Sequence, residues 1–400
     1  MNVPLRLGPA ELKLVEQLTA AGARAEAERL AASGLPTRKV ESYHYTDLKM
    51  LLRSVPDFAE AGAGIAASPL QLEGAWRLPI VNGQPREAAP PPPDVRLGQG
   101  EGPALSQRDD VLVRLNRALV PKCLTLTVDG HIHQLLHIDR QTAGPAGHAT
   151  SAARILVSDG ASVTIVETFS GNDAVHLGNH ATYVAVGSGA SVTHVTIDLS
   201  SRRATHFATN EYRLAENARL RTLVIHAGAG LSRTHLFPHF EGSGAYADLT
   251  GLNMVGEGQH ADITMDASHA VPHTSSKPLF KSVARGRSRA VVQGRLVVAR
   301  DAQKTDAKLM SQGLMLSDEA EILAKPELEI YADDVVCGHG ATCGAIDDEA
   351  LFYLMSRGVA RADAETMLVR AFLAELLDPI ENQSLQSALQ GVIDHWLAGK

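Results

Sequence analysis

A short word recurs through the middle of this chain: a turn-forming residue, then Ala, then a small or polar residue, then a run of alternating apolar side chains. It stands at Gly160-Ala161-Ser162, Gly189-Ala190-Ser191, Asn217-Ala218-Arg219 and Gly244-Ala245-Tyr246. It returns in looser form at His260-Ala261-Asp262, Ser288-Arg289-Ala290 and Glu319-Ala320-Glu321. Most steps are about 27 to 31 residues, with one shorter. A period of that size means one supersecondary unit per repeat, and a unit that cannot bury its inner face alone has to stack on its neighbours.

The runs after these words are strand-like. Leu124–Val128, Ser162–Glu167, Ser191–Ile197, Arg219–Ile225, Asp262–Met265, Ala290–Val298 and Glu321–Ile330 alternate with period two, as strands with one buried face do. No helical pattern separates them, which favours a β-helix over a leucine-rich or helical solenoid. An evenly spaced β-sandwich is the competing architecture. Only 4% of residues are aromatic, so Val, Leu, Ile and Ala must build the core, as suits small stacked layers.

Helical texture appears at both ends. Leu12, Val15 and Leu18 open an amphipathic stretch over 10–32 that Gly34 and Pro36 close. Residues 82–104, with Pro90 to Pro93, read as a linker or long loop. Asp109–Val120 presents Leu112, Leu115 and Leu119 on one helical face. At the other end, Asp347, Asp348 and Glu349 precede Leu351, Leu354 and Met355, and Gly358 follows. A second helix carries Leu368, Phe372 and Leu376, and a third runs from Ser384 to Leu397. The fold expected is mainly β: a β-helix over 105–345, an N-terminal helical region with linker over 1–104, and a C-terminal helical domain over 346–400.

Composition narrows the function. With 44% apolar residues, 20% charged residues and a net charge of −8, the chain reads as globular, not as a general nucleic-acid binder. The basic run Arg285 to Arg289 reads as a solvated loop. No stretch approaches the length of a membrane span, and no signal-peptide pattern opens the chain. Three cysteines, Cys123, Cys337 and Cys343, suggest no disulfide framework and fit a reducing cytosol. No phosphate-cradling loop, hydrolase nucleophile elbow or ferredoxin-type cysteine cluster is present.

The densest chemistry lies in Asp333 to Gly344. Two carboxylates, Cys337, His339 and Cys343 fall there, and Gly338 and Gly340 flank the histidine. Thiolate and imidazole suit iron, zinc or copper(I), and an extended Cys-x-His puts both side chains on one face. A spacing of six positions from Cys337 to Cys343 matches no closed zinc site, so a shared or partly open site is the sharper expectation, with His339 as the metal-binding candidate. The competing reading makes both cysteines small buried hydrophobes. His131-Ile132-His133 resembles the metal pair of cupins but lacks their Glu; the remaining scattered histidines read as hydrogen-bonded surface or edge residues.

From Lys277 to Ile380 the chain resembles the SufB/SufD family. The words that carry the likeness are Val292-Gln293-Gly294, Ala302 to Ala307, Leu314 to Ser317, Lys325 to Val335, Cys337 to Thr342, Asp348 to Leu354 and Ser356-Arg357-Gly358. Glu41 to Leu48 and Leu115 to Leu119 add weaker matches. The Cys-x-His-Gly-Ala-Thr word marks the D-type branch. The resemblance implies a central β-helix with helical ends and a non-catalytic scaffold subunit of a cytoplasmic SufB–SufC–SufD complex. It implies that His339 helps assemble an iron–sulfur cluster at the interface with a SufB-like paralogue. No cofactor would be held tightly by the chain alone; the cluster is transient and shared. It further implies that residues 346–380 dock a SufC-like ABC ATPase, with Leu351, Phe352, Leu354, Leu368 and Phe372 as contact candidates, and that the chain alone can form a homodimer. Cys343 departs from the family pattern, where an aliphatic residue is common, and leaves the ligand set open. A β-helical carbohydrate-active enzyme and a stand-alone metal-binding protein are the rival functions.

Overall fold

Left-handed turns set the coil. In the computed structural model, which describes residues 6–101 and 108–399, Gly160, Gly189, Asn217, Gly244, His273 and Lys304 all have φ between 56 and 74°. Gly and Asn tolerate that region best, which is why the repeated word begins with them. Each of these turns hydrogen-bonds to the next: Gly160 N–H to Ser188 O (2.9 Å), Gly189 N–H to Glu216 O (2.8 Å), Asn217 N–H to Ser243 O (2.9 Å).

The stacked coils form a β-solenoid of about eight turns. Each coil contributes one strand to a ten-stranded sheet and one to a nine-stranded sheet, counted among the described residues. Register is parallel throughout the stack: Ser162 faces Ser191, then Arg219, Tyr246, Ser275, Asp306 and Val336. The one short step in the repeat is the word changing sheets. Gly244 precedes a strand of the ten-stranded sheet, whereas His260 begins one of the nine-stranded sheet.

Two antiparallel strands close the stack's beginning. Gln84–Pro85 folds back on Trp76–Val81, and Val95–Glu101 lies on Lys122–Val128. Strands therefore occupy part of 82–104, the span read as a linker. Asn82 and Gly83 both have positive φ (52 and 79°), the geometry of a tight hairpin turn that the tetraproline downstream obscures. Position 105, proposed as the start of the β-helix, lies outside the described residues. The helix expected over 10–32 is two, Pro9–Ala20 and Arg24–Ser33, parted by Gly22 at φ 79°.

Three apolar clusters hold the molecule together. Inside the solenoid, Ile138, Ile165, Leu249 and Phe280 of one sheet meet Val184, Tyr212 and Ile263 of the other. A buried polar knot interrupts them: Arg140 Nε and Thr182 Oγ1 donate to Glu167 (2.8 and 2.6 Å), beside His194 (3.2 Å). Outside the nine-stranded sheet, the N-terminal helices pack Leu14, Leu18 and Leu30 towards Leu177, Phe207 and Leu231. Outside the ten-stranded sheet, Val369, Leu373, Leu385 and Trp396 of the C-terminal helices cover Val195, Ile197, Leu223 and Leu252.

Candidate functional site

The last strand, Val336–Gly344, ends the ten-stranded sheet. Among the described residues it pairs only with Asp306–Met315, and Glu321–Ile330 is likewise the last strand of the other sheet. Its register decides where the chemistry points. Cys337 lies beside Ala307, His339 beside Leu309, Cys343 beside Gly313. Ala307 and Leu309 belong to the solenoid core, so the odd-numbered residues of the last strand continue the inward-facing row. Among the described residues no further coil covers that row. His339 is exposed, Cys337 is half-buried against the core, and Cys343 is exposed, with its Sγ over Gly313.

Strand spacing sorts the three ligand candidates. Residues two apart on one face are roughly 6.6 Å apart, and residues four apart roughly 13 Å. Cys337 and His339 can therefore approach one small centre, whereas Cys343 lies beyond the reach of His339. Burial raises the pKa of both Cys337 and Cys343, so each favours the thiol and would need a nearby cation or metal to become a thiolate ligand. Among the described residues, no group of three or more His, Cys, Asp or Glu side chains could hold a metal ion.

The two terminal edges differ. Val336 N–H donates to Thr305 O (2.9 Å), so the even-numbered residues of the last strand bond inward. Cys337, His339, Ala341 and Cys343 then direct their own N–H and C=O at the free edge, as the alternation of a parallel ladder requires. On Glu321–Ile330 the parity is opposite, since Glu321 and Tyr331 donate inward to Ser288 and Val298. Pro326 falls at an outward position, where a missing N–H costs no ladder bond and blunts the edge.

Other candidates land as follows. Leu351 is 4% exposed and Phe352 72%; Leu354 and Leu368 are half-buried. Phe372 packs on the solenoid side, with the Lys281 ammonium 4.4 Å above its ring. The basic run is neutralised: Arg287 pairs with Glu257 and Arg289 with Glu321, while Arg285 stacks on Trp396 at 4.2 Å. Most of the scattered histidines are hydrogen-bonded but not at the surface: His226, His235, His260 and His269 are buried, His239 is half-buried and His273 is exposed. His137, His148, His194, His206, His226, His235 and His269 are all buried, because the inward rows and the covered outer faces leave little free surface mid-stack.

The Glu41 to Leu48 word has a role that its residues alone do not reveal. Arg233 Nη2 donates to Ser42 O (2.6 Å), and its guanidinium lies 4.3 Å from the Tyr43 ring. Tyr43 Oη donates to Asp110 (2.8 Å), while Thr46 and Arg233 both bond the buried Asp262. The segment is thus a latch that fixes the N-terminal helices to the solenoid. Only the partners' types, a buried Arg and Asp on neighbouring strands, hint at it.

The class is therefore that of a β-solenoid capped by antiparallel strands at one end and carrying thiol and imidazole on its last strand at the other. Residues 140–372 match the family model described as "SUF system FeS cluster assembly, SufBD core domain". The chain is 31% identical to the iron-sulfur cluster assembly protein SufD of Escherichia coli, over 93% of this chain and 92% of that one. An iron-sulfur cluster assembly SufBD family protein of Mycobacterium tuberculosis is 26% identical over 91% and 89%. One from Synechocystis is 31% identical over 59% and 54%. The chain belongs to the SufB/SufD family and is a SufD-like iron–sulfur cluster assembly protein.

Proposed function

We propose that this chain is the D-type scaffold subunit of a SufB–SufC–SufD complex, acting in the cytoplasm without catalysis of its own. Its open end pairs with the solenoid of a SufB-like paralogue. His339 lends one imidazole to a site that the paralogue completes, and a nascent iron–sulfur cluster is built there as cargo and passed on. Cys337, two residues away on the same face, is the second candidate ligand from this chain; Cys343 is a separate thiol of the same mouth. The C-terminal helices dock a SufC-like ATPase, whose motion on ATP rearranges the interface.

The observation that carries this reading is an exposed histidine on an inward-facing row that no coil covers. A neutral imidazole binds iron well, but one histidine and one thiol make an incomplete site, which is what a shared centre requires of each partner. The stand-alone metal-binding reading lacks a third ligand within reach. Free thiols, with no disulfide among the described residues, suit a reducing compartment. No helix among the described residues is long and apolar enough to cross a membrane.

The test is anaerobic reconstitution of the three-subunit complex with His339→Ala. The complex is expected to assemble and its cluster loading to fall at least tenfold. Normal loading would remove His339 from the site.

A further inference from the structure

A groove of about 720 Å³ runs along one corner of the solenoid, between the turns that leave the ten-stranded sheet and the last helix, Gln383–Ala398. Successive coils build one wall. Ser200 to Arg202 follow Ser191–Asp198, Ala227 and Gly228 follow Arg219–His226, and Arg285 follows Ser275–Ala284. Stacking thus sets side by side residues that are far apart in the chain. The helix supplies the other wall through Ala388, Gly391, Val392 and His395, whose spacing of three and four puts them on one face. Leu70 and Leu199 add apolar surface.

The charge in this groove is of one sign. Among the described residues no Asp or Glu lines it, although the chain has a net charge of −8. Arg202 and Arg285 do, and their guanidinium groups converge: a Cβ on Gly256 would lie 3.1 Å from Arg202 Nη2 and 3.6 Å from Arg285 Nε. Their printed partners are backbone oxygens. Arg285 Nη2 donates to Trp396 O (2.9 Å) and Gly399 O (2.5 Å), and Arg202 Nη1 reaches Glu257 O at 3.5 Å. Among the described residues neither has a carboxylate within ion-pair distance. The Glu257 carboxylate, in the adjoining cleft, is taken by Arg287, whose Nε and backbone N–H donate to it at 3.0 and 2.9 Å. Burial and the neighbouring Arg202 both lower the pKa of Arg285, a repulsion that a bound anion would relieve. Trp396, stacked on Arg285, is buried, and its indole N–H has no acceptor among the described residues, so this corner carries one donor in excess.

Gly391 is an independent pointer. It stands in the middle of a 16-residue helix, where glycine is the poorest helix former after proline. A Cβ built on it meets nothing within 4 Å, so packing within the chain does not require glycine there. The helix keeps space open beside two guanidinium groups that lack a counter-ion. We infer that the groove binds a small phosphate monoester with an apolar body, its head between Arg202 and Arg285 and its body along Ala388, Gly391 and Val392. Phosphate fits better than carboxylate, because a monoester carries a charge of about −2 at neutral pH and so matches two guanidinium groups, whereas a carboxylate matches one. A groove of this volume suits a small organic molecule, and its mix of apolar walls with a few convergent donors suits one that is amphipathic.

Equilibrium dialysis of the full chain against phenyl phosphate, inorganic phosphate and phenol tests both halves of the ligand. Phenyl phosphate should bind at least tenfold more tightly than either of the others. Arg202→Gln should weaken it at least tenfold; Arg202 is exposed, and its loss leaves the ties of Arg285 to the last helix in place. Gly391→Leu should abolish binding without lowering the melting temperature, since its side chain enters open space and leucine favours the helix. No binding of phenyl phosphate at millimolar concentration would overturn the site. Binding that survives either substitution unchanged would overturn its placement in this groove. Inorganic phosphate binding as tightly as phenyl phosphate would remove the apolar body from the proposal, and phenol binding as tightly would remove the anionic head.

Discussion

His339 stands beside Leu309 in the strand ladder, in the same inward-facing row, yet Leu309 is buried and His339 is exposed. The one difference between the two environments is the coil above: Leu309 has one, His339 does not. Their substitutions should separate accordingly. Leu309→Ala removes buried methyls from a packed layer and should cost about 2–5 kcal/mol. His339→Ala should leave stability within about 0.5 kcal/mol of wild type. Urea unfolding of the isolated chain measures both. A large loss for His339→Ala would mean that the ring is a structural part of the last coil.

The latch on the N-terminal helices makes a second prediction. Arg233 and Asp262 are a fully buried ion pair with 0% side-chain exposure on both sides. Removing one partner leaves an uncompensated buried charge, at about 3–5 kcal/mol. Arg233→Met should therefore destabilise strongly and open residues 37–52 to protease. Arg233→Met combined with Asp262→Leu should recover most of the loss, since apolar pairs of similar volume replace buried ion pairs at little cost. A double variant no better than the single one would show that Arg233 acts through Ser42 and Tyr43 alone.

How much of this was legible from residues? The period was, because Gly160, Gly189, Asn217 and Gly244 are needed for left-handed turns and so leave a trace in the sequence. The last strand's ligand word was legible for a different reason: Cys337, His339 and Cys343 crowd into one short segment, whose Gly338 and Gly340 lie in regular strand. The buried histidines were not. Burial in a solenoid depends on which neighbour faces each position across the ladder, and a single coil does not contain that information. His194, for example, is held between Tyr212 and Glu167, 18 and 27 residues away. The hairpin at Asn82-Gly83 carried its own signal, masked by the prolines after it.

Those buried histidines predict a pH dependence. Burial lowers the pKa of His148 to about 4, against about 6.5 in an unfolded chain. The unfolded state therefore binds more protons between those values. Stability is fully present above about 6.5 and falls as pH drops towards 4, by up to about 3 kcal/mol for one such group. His269, also lowered to about 4 by burial, acts in the same direction. Urea midpoints measured at pH 7.5, 5.5 and 4.5 should decline steadily across the last two. A flat profile down to pH 4.5 would mean that these rings are solvated or already charged in the fold.

The C-terminal helices divide between holding on and reaching out. Leu373 is 0% exposed against the solenoid, and Lys281 Nζ ties the same helix by donating to Phe372 O (2.6 Å). On the preceding helix, Asp348–Ser356, Phe352 and Tyr353 are exposed beside a buried Leu351. Large apolar side chains left in water on one short helix are what an interaction surface needs, and they contribute little to the fold that displays them. Phe352→Ala with Tyr353→Ala should therefore leave thermal unfolding unchanged and weaken binding of the proposed partner, a SufC-like ATPase, by at least tenfold. Leu373→Ala should do the reverse in cause, loosening the helices by about 2–5 kcal/mol and losing the ATPase only because its platform has moved. Isothermal titration against the ATPase, paired with calorimetric melting, distinguishes them. Wild-type affinity in the Phe352/Tyr353 variant would move the docking surface elsewhere on the C-terminal helices.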